Sequence, residues 1–341
     1  KVFLRIIHNR IYRKCEDSIG ISQFGFRNGF GTREALYSLN VLTQRCLDVN
    51  KNVYACFIDY EKAFDKVQHQ KLLNILEQCG IDSKDIRIIA NLYWNQKANV
   101  KIDTTLSENT DIRRGVRQGC ILSPILFNLY SETIFREALQ NETSGIYVNG
   151  QIINNIRYAD DTVLLSDSVQ DLLQLIHRVN TVSQQYGLRM NISKTKYMIF
   201  SKANIPAGNL LLNNEEIERV RKYKYLGSWV TEDLDYQLEV RTRIEMARDC
   251  FMKMKKLLTS KSLNLALRLR IVRCYVFSIL LYGMETWTLK QEHIKKLEAF
   301  EMWVYRRMLK ISWVAKVPNA QVLLKMKKEK ELLFTIKKKE N

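Results

Sequence analysis

An α+β fold is predicted for this chain, with strands and helices alternating in its first part and helices alone following. Apolar and β-branched residues flank two adjacent acids in the stretch 155–165, which predicts a tight β-hairpin. Amphipathic segments with capping residues lie between such runs and predict helices. From Glu239 onward the pattern becomes helical and basic. The 341 residues, 46% of them apolar, suggest two or three subdomains.

The charge of the chain favours a polyanionic partner. Lys and Arg number 54 against 36 Asp and Glu, a net charge of +18, and nucleic acid is the leading candidate. An anionic membrane surface is the weaker alternative, because the basic residues do not form one amphipathic anchor. No apolar run approaches the ~20 residues of a membrane span and no signal-peptide pattern opens the chain. We therefore expect a soluble, intracellular protein without a membrane partner; whether its compartment is the nucleus is not readable from the sequence.

The cysteine pattern argues against two kinds of site. Seven Cys are scattered without any Cys-x-x-Cys pair, and only four His accompany them. Neither a zinc site nor a disulfide framework is indicated, and reduced thiols are expected.

The first elements are a helix, a loop and a second helix. Residues 1–14 carry a helical apolar stripe, and the Gly-rich loop 22–34 leads into the next helix. Its glycines can let backbone N–H groups approach an anion, with Arg27 as an added donor. A flexible loop with a solvated Arg remains the alternative.

Two further segments place charged residues next to a predicted strand and a predicted helix. The apolar run 53–59 predicts a strand that ends on Asp59, which costs stability unless the charge is paired or used. Asp65 has the easier interpretation of an acid in the first turn of a helix.

The basic loop 113–119 precedes a long apolar helix with Ser123 as N-cap and Pro124 at the first helical position. This loop can cradle a phosphate and a base, or it can simply be solvated.

The hairpin places two acids at its tip. Asp160 and Asp161 repel each other, so a counter-cation such as Mg²⁺ is one interpretation and ordinary turn chemistry is the other. The following helix, 168–186, is capped by Ser168 and ended by Gly187.

The basic helical region indicates a phosphate backbone as partner. Ten Lys or Arg lie between Arg241 and Arg273 against two acids. A further helical region holds six aromatic residues that are more often core than base-stacking platforms: Tyr275, Tyr282, Trp287, Trp303, Tyr305 and Trp313. The Lys-rich end is expected to fray.

Asp59 and Asp160 each follow a predicted strand. Adjacent strands in one sheet can bring such ends together, so three carboxylates can converge on a pair of metal ions. Nucleotidyl transfer needs that arrangement.

Five motifs, in order, resemble those of reverse transcriptases, and their sequences are most similar to those of non-LTR (LINE-type) retrotransposons. They are residues 57–65 (Phe-Ile-Asp-Tyr-Glu-Lys-Ala-Phe-Asp), 117–124 (Arg-Gln-Gly-Cys-Ile-Leu-Ser-Pro), 158–161 (Tyr-Ala-Asp-Asp), 187–195 (Gly-Leu-Arg-Met-Asn with Lys-Thr) and 225–227 (Tyr-Leu-Gly). The resemblance implies a right-hand polymerase with fingers, an antiparallel palm sheet and a helical thumb. It also implies RNA-templated DNA synthesis from a primer 3′-hydroxyl, with deoxynucleoside triphosphates and two Mg²⁺, or Mn²⁺ as a substitute.

By the same resemblance, Asp59, Asp160 and Asp161 are the metal-binding carboxylates. Tyr60 offers its backbone carbonyl. Phe64 is the steric gate that disfavours a ribose 2′-hydroxyl, although a plain core Phe is the alternative.

The resemblance implies further contacts to substrate and primer. Lys194 is the candidate proton donor to pyrophosphate, with Lys196 close enough to leave the choice open. The substrate-binding residues implied with Tyr60 and Phe64 are Arg27, Gln118, Gly119, Tyr158 and Ala159. The primer grip comprises Tyr225, Leu226 and Gly227.

The resemblance also implies a domain division. Residues 1–232 correspond to fingers and palm, 233–315 to a basic helical thumb with the helices after it, and 316–341 to a Lys-rich tail. The family's first fingers motif and N-terminal endonuclease are not seen and the chain opens without Met, so we expect an N-terminally truncated piece. Two alternatives to this function are a catalytically inactive, nucleic-acid-binding remnant and a viral-type RNA polymerase. Template preference and oligomeric state are not readable from the sequence. A nuclear location suits a retrotransposon enzyme but is not readable either.

Overall fold

The computed structural model describes residues 1–93, 96–205 and 208–340. These residues form two compact units, Lys1–Arg221 and Lys222–Asn341. The division falls before residue 232, where the sequence suggested the end of the palm. The three sequence-based domains stay predictions.

The first unit combines helices and strands. Its helices are α1 (Val2–Cys15), α2 (Thr32–Asp48), α3 (Ala63–Lys66), α4 (His69–Gln78), α5 (Ser83–Tyr93), α6 (Ser123–Leu139) and α7 (Val169–Gln185). Its strands are β1 (Val53–Ile58), β2 (Lys97–Ala98), β3 (Lys101–Ile102), β4 (Thr105–Leu106), β5 (Thr110–Asp111), β6 (Ile146–Val148), β7 (Gln151–Ile153), β8 (Asn155–Tyr158), β9 (Asp161–Ser166), β10 (Lys196–Phe200), β11 (Leu210–Leu212) and β12 (Glu215–Arg219).

A six-stranded sheet with the order β11-β12-β10-β1-β9-β8 organises this unit. Strand β1 lies at its centre and pairs antiparallel with both β9 and β10. The pair β10–β12 is parallel, and the remaining pairs of the sheet are antiparallel. The expected α+β class with an antiparallel-rich sheet is confirmed.

Strand β1 is buried on both faces. Cys56 and Ile58 join the main core with side chains of α6 and α7, while the alternate residues Ala55 and Phe57 are also buried. Helix α7 packs against β1 and β9, and α2 packs against β1 and β8. A strand enclosed in this way is a rigid support for the residue that follows it.

Local signals located the N-cap of α7 but not that of α6. Ser168 caps α7 as predicted, because its Oγ accepts a hydrogen bond of 3.1 Å from the Asp171 N–H. The prediction that Ser123 caps α6 is wrong. Leu122 is the N-cap, and the Ser123 hydroxyl donates instead to the Arg117 carbonyl at 2.5 Å.

The second unit begins with a hairpin and continues as helices. Its elements are β13 (Lys222–Tyr225), β14 (Ser228–Thr231), α8 (Gln237–Lys253), α9 (Lys255–Leu258), α10 (Leu265–Ile271), α11 (Ser278–Leu280), α12 (Gln291–Met308), α13 (Asn319–Met326) and α14 (Leu332–Glu340), with a π-helical turn at Val272–Phe277. Trp287 and Tyr305 are buried in its core as expected, whereas Trp313 is not.

The Lys-rich end does not fray as expected. It forms α13 and α14, whose apolar residues Val322, Met326, Leu332 and Ile336 are buried in the core of the second unit. Periodic apolar residues between the lysines explain this packing. Of the helices in the described residues, none is both long and apolar enough to cross a bilayer.

Candidate active site

The ends of three neighbouring strands bring Asp59, Asp161 and Lys194 together. The register pairs Ile58 with Thr162, so Asp59, which follows β1, lies beside Asp161, the first residue of β9. On the other side, β1 and β10 pair Phe57 with Lys196, and the same register continued by two residues sets Lys194 beside Asp59. The Lys194 Nζ lies 4.0 Å from the Asp59 Oδ2. Pairing in the sheet thus assembles residues that are far apart in sequence.

The backbone after β1 is fixed on the segment that precedes β10. The Asn191 N–H donates to the Asp59 carbonyl at 2.8 Å, and the Asp59 N–H donates to the Thr195 Oγ1 at 3.3 Å. The Tyr60 hydroxyl lies 2.9 Å from the Ser183 Oγ, and burial raises the pKa of Tyr60 to about 12. The Tyr60 ring is therefore an anchor in the core.

The two acids of the hairpin lie at a two-residue turn. Tyr158 pairs with Asp161, which leaves Ala159 and Asp160 to make the turn. Ala159 has φ +57°, a left-handed conformation that costs an L-residue roughly 1 kcal/mol. The half-buried Tyr158 ring lies 5.9 Å from that of Phe26. The turn therefore needs outside support.

The loop before α2 supplies that support. The Gln23 Oε1 accepts hydrogen bonds from the N–H groups of Gly25 (2.9 Å) and Ala159 (3.0 Å). The Asn128 Nδ2 donates to the Gly25 carbonyl at 2.7 Å. A Cβ on Gly25 would lie 2.5 Å from the Ala159 nitrogen, so only glycine allows this approach. Gln23, Gly25 and Asn128 were missed by the sequence analysis; the one signal was the Gly-rich composition of the loop.

Arg27 is engaged within the same loop. Its Nη1 donates to the carbonyls of Gly20 (2.9 Å) and Gln23 (3.2 Å), and its guanidinium lies 5.1 Å from the centre of the Phe30 ring. These contacts give Arg27 a role in holding the loop. Its substrate contact stays a prediction.

The carboxylates carry more negative charge than the neighbouring side chains neutralise. Partial burial raises the pKa of Asp161 to about 6, with Asp160 and then Asp59 adding to the effect, although part of the Asp161 side chain reaches solvent. Burial, followed by the charge of Asp59, also raises the pKa of Asp160. Lys194 is 69% exposed, so its attraction is screened. The three acids form one electrostatic cluster that favours a bound cation.

The structure separates the two lysines that the sequence left as alternatives. The Lys196 Nζ donates to the Ser193 carbonyl (2.6 Å) and to the Glu218 Oε2 (2.8 Å). Lys194 contacts Asp59 and is largely exposed. Its geometry suits the proton-donor prediction better than that of Lys196.

Phe64 and the loop 113–119 lie side by side. The Val116 N–H donates to the Phe64 carbonyl at 2.8 Å, and the Phe64 ring stacks on Phe127 with 4.3 Å between centres. The Gln118 Nε2 lies 3.5 Å from the Asp65 Oδ1. Gly119 has φ +76° and open space beside it. Phe64 is half-buried, a position compatible with both the gate and the core interpretation.

The predicted primer grip forms a tight hairpin in the second unit. Leu226 (φ +46°) and Gly227 (φ +80°) make its turn, and Tyr225 is buried. The Tyr282 hydroxyl donates to the Leu226 carbonyl at 2.8 Å, and the Arg243 Nη2 donates to the Gly227 carbonyl at 2.5 Å. The backbone of the turn is thus firmly held.

The carboxylate cluster fits an open divalent-cation site. Within residues 1–93, 96–205 and 208–340, no three His, Cys, Asp or Glu side chains enclose a metal ion by themselves. Mg²⁺ usually takes one or two carboxylates and completes its shell with water and substrate phosphates, so an enclosed protein cage is not required. Burial first, and the neighbouring acids second, raise the pKa values of Asp160 and Asp161, and a bound cation would offset both effects.

Residues 1–230 match the family described as reverse transcriptase (RNA-dependent DNA polymerase). The chain belongs to this family. The match covers the strand ends, the carboxylates, the loop 113–119 and the primer-grip turn.

Curated relatives of this reverse transcriptase chain come from mobile elements. The RNA-directed DNA polymerase from mobile element jockey of Drosophila funebris is 24% identical over 99% of the chain, which spans 37% of that relative. The Pol polyprotein from type-1 retrotransposable element R2 of Nasonia vitripennis is 28% identical over 66% of the chain and 22% of the relative. The chain thus spans well under half the length of either protein. The expected likeness to non-LTR retrotransposon reverse transcriptases is confirmed.

A solved structure supports the fold. Telomerase from Candida tropicalis matches with a TM-score of 0.50 and 15% identity over 98% of this chain and 53% of that chain. The right-hand polymerase class is confirmed, while the roles of the individual site residues stay predictions.

Proposed function

We propose that this chain is the polymerase portion of a retrotransposon reverse transcriptase, which copies an RNA template by extending a DNA primer with deoxynucleoside triphosphates. The observation that carries the proposal is the cluster of Asp59, Asp160 and Asp161 on adjacent strand ends, each within electrostatic reach of the others. The RNA-directed DNA polymerases of jockey elements support the substrate class.

The proposed reaction joins the primer 3′-oxygen to the α-phosphorus of the incoming nucleotide and releases pyrophosphate. Asp59, Asp160 and Asp161 would hold two divalent cations, Mg²⁺ with Mn²⁺ as a substitute, which when bound supply charge neutralisation and activation of the 3′-hydroxyl. The rigid strands keep the carboxylates in position, so no reorganisation is needed during the reaction.

Other side chains would orient and select the nucleotide. Lys194, exposed beside Asp59, would donate a proton to the departing pyrophosphate. Phe64, fixed by its stacking on Phe127, would crowd a ribose 2′-hydroxyl. Gln118 and Gly119 would line the pocket from the neighbouring loop, and the turn at Leu226 and Gly227 would grip the primer.

Primer extension on poly(A)/oligo(dT) tests the proposal. The chain should incorporate deoxythymidine in the presence of Mg²⁺, and Asp160→Asn should reduce incorporation by about 100-fold or more. Asp111→Asn, an exposed acid on β5, serves as the matched control. Nucleic-acid binding without extension by the unsubstituted chain would contradict the proposal and favour an inactive remnant.

A further inference from the structure

A basic and aromatic groove lies wholly within the second unit, between α9, the end of α12 and the turn that follows it. Its volume is about 690 Å³. Four cations and two indole rings define it: Lys255, Trp303, Arg306, Arg307, Lys310 and Trp313. Within the described part of the chain, none of its lining residues is acidic.

Trp313 is presented to solvent on an ordered support. The residue is 83% exposed, in a turn where the Ser312 Oγ accepts a hydrogen bond from the Val314 N–H at 3.3 Å. The Arg306 guanidinium lies 5.7 Å from the centre of the Trp313 ring. Arg306 itself donates two hydrogen bonds, of 2.7 and 2.8 Å, to the segment 317–319. The indole is therefore held beside Arg306 with most of its surface available to a ligand.

Trp303 forms the inner wall of the groove. Its ring is half-buried and stacks on Phe300 at 5.6 Å between centres. The guanidinium groups of Arg248 and Arg307 lie 5.4 and 5.5 Å from the centre of the same ring. Aromatic surface and positive charge therefore lie next to each other in the groove.

We propose that this groove binds unpaired nucleotides of a single-stranded nucleic acid, with one base stacked on Trp313. This inference rests on the proposed function for the choice of polyanion and adds a site outside the residues assigned to that function. The exposed cations Arg307, Lys310 and Lys255 supply the phosphate contacts, and none of them takes part in an ion pair among the described residues. A paired base has both faces covered by its neighbours, so an exposed indole favours unpaired bases.

Fluorescence anisotropy of the full chain with labelled oligo(U) RNA and oligo(dT) tests the inference. Measurements in EDTA, without nucleotides, separate binding from polymerisation. Trp313→Ala should weaken binding by about 5- to 100-fold, and Trp313→Phe should retain most of the affinity. Val314→Ala, at a neighbouring residue that is 85% exposed and outside the groove, should bind like the unsubstituted chain. Comparison of oligo(U) RNA with oligo(dT) shows whether the groove prefers RNA or DNA. Binding of either oligonucleotide that depends on Trp313 supports the site.

Salt dependence tests the phosphate contacts. The double substitution Arg307→Gln and Lys310→Gln should lower the slope of log affinity against log salt by about 0.7 per residue for a single strand. Lys325→Gln, an exposed cation on α13 outside the groove, should leave the affinity within about twofold.

Two results would overturn the inference. They are equal binding by Trp313→Ala and Val314→Ala, or an equal loss of duplex binding in Trp313→Ala. If primer extension fails while Trp313→Ala still weakens oligonucleotide binding, the proposed polymerase function is refuted and the groove proposal is supported. If primer extension succeeds while Trp313→Ala binds like the unsubstituted chain, only the groove proposal is refuted.

Discussion

Replacing Asp161 by Asn should stabilise the folded chain at neutral pH, because folding partly buries this carboxylate and places it beside Asp160 and Asp59. A change in pKa from the ordinary 3.8 to about 6 corresponds to about 3 kcal/mol. Since the side chain is partly exposed, solvent screening reduces the expected effect to about 1 kcal/mol. For a unit the size of Lys1–Arg221, this raises the melting temperature by roughly 2–4 °C.

The sign of the effect depends on pH. The folded chain holds the Asp161 proton more tightly than the unfolded chain, so the favourable contribution is complete below pH 3.8 and is lost as pH rises through about 6. The advantage of Asp161→Asn should therefore be full at about pH 7.5 and nearly absent at about pH 4.

Thermal unfolding followed by circular dichroism measures this difference. Asp111→Asn should show no gain at either pH. Millimolar Mg²⁺ should stabilise the unsubstituted chain and reduce the advantage of the variant. A variant that is no more stable than the unsubstituted chain at neutral pH would refute the charge argument.

Four further substitutions probe the site and its support. Phe64→Ala should admit ribonucleotides, measured as a fall of about tenfold or more in the preference for dNTPs over rNTPs in primer extension. Gly25→Ala should destabilise the first unit by about 1–3 kcal/mol and impair extension, because its Cβ would meet the Ala159 nitrogen. Lys194→Ala should slow extension by about 100-fold while Lys196→Ala has a smaller effect, as single-nucleotide kinetics would show.

A control variant and the contradicting outcomes complete these three tests. Gly208→Ala has open space around the new Cβ and should leave stability within about 0.5 kcal/mol. Unchanged sugar discrimination in Phe64→Ala would assign that ring to the core. Equal activity losses at both lysines would remove the distinction drawn from their contacts.

Features set by short-range chemistry could be predicted from the sequence. The hairpin around Asp160 follows from apolar and β-branched residues on both sides of a turn. Ser168 caps its helix through a hydrogen bond to a residue only three positions away, so the local pattern is enough to predict it. The meeting of Asp59 with that hairpin could be expected from strand ends in one sheet, and the observed register agrees.

Features that depend on distant partners could not be predicted. Gln23 supports Ala159 across 136 residues, and nothing in the local pattern names that acceptor. Ser123 matches a cap pattern, yet its hydroxyl reaches a carbonyl of the preceding loop. Lys196 looked equivalent to Lys194 until its ion pair with Glu218 was seen.

Mn²⁺ binding measured by electron paramagnetic resonance tests the central claim most directly, since it needs no turnover. Three carboxylates that share a cation site predict bound Mn²⁺ in the unsubstituted chain and an affinity at least about tenfold weaker in Asp59→Asn, Asp160→Asn and Asp161→Asn, but not in Asp111→Asn. Equal Mn²⁺ affinity in all five proteins would contradict the shared site.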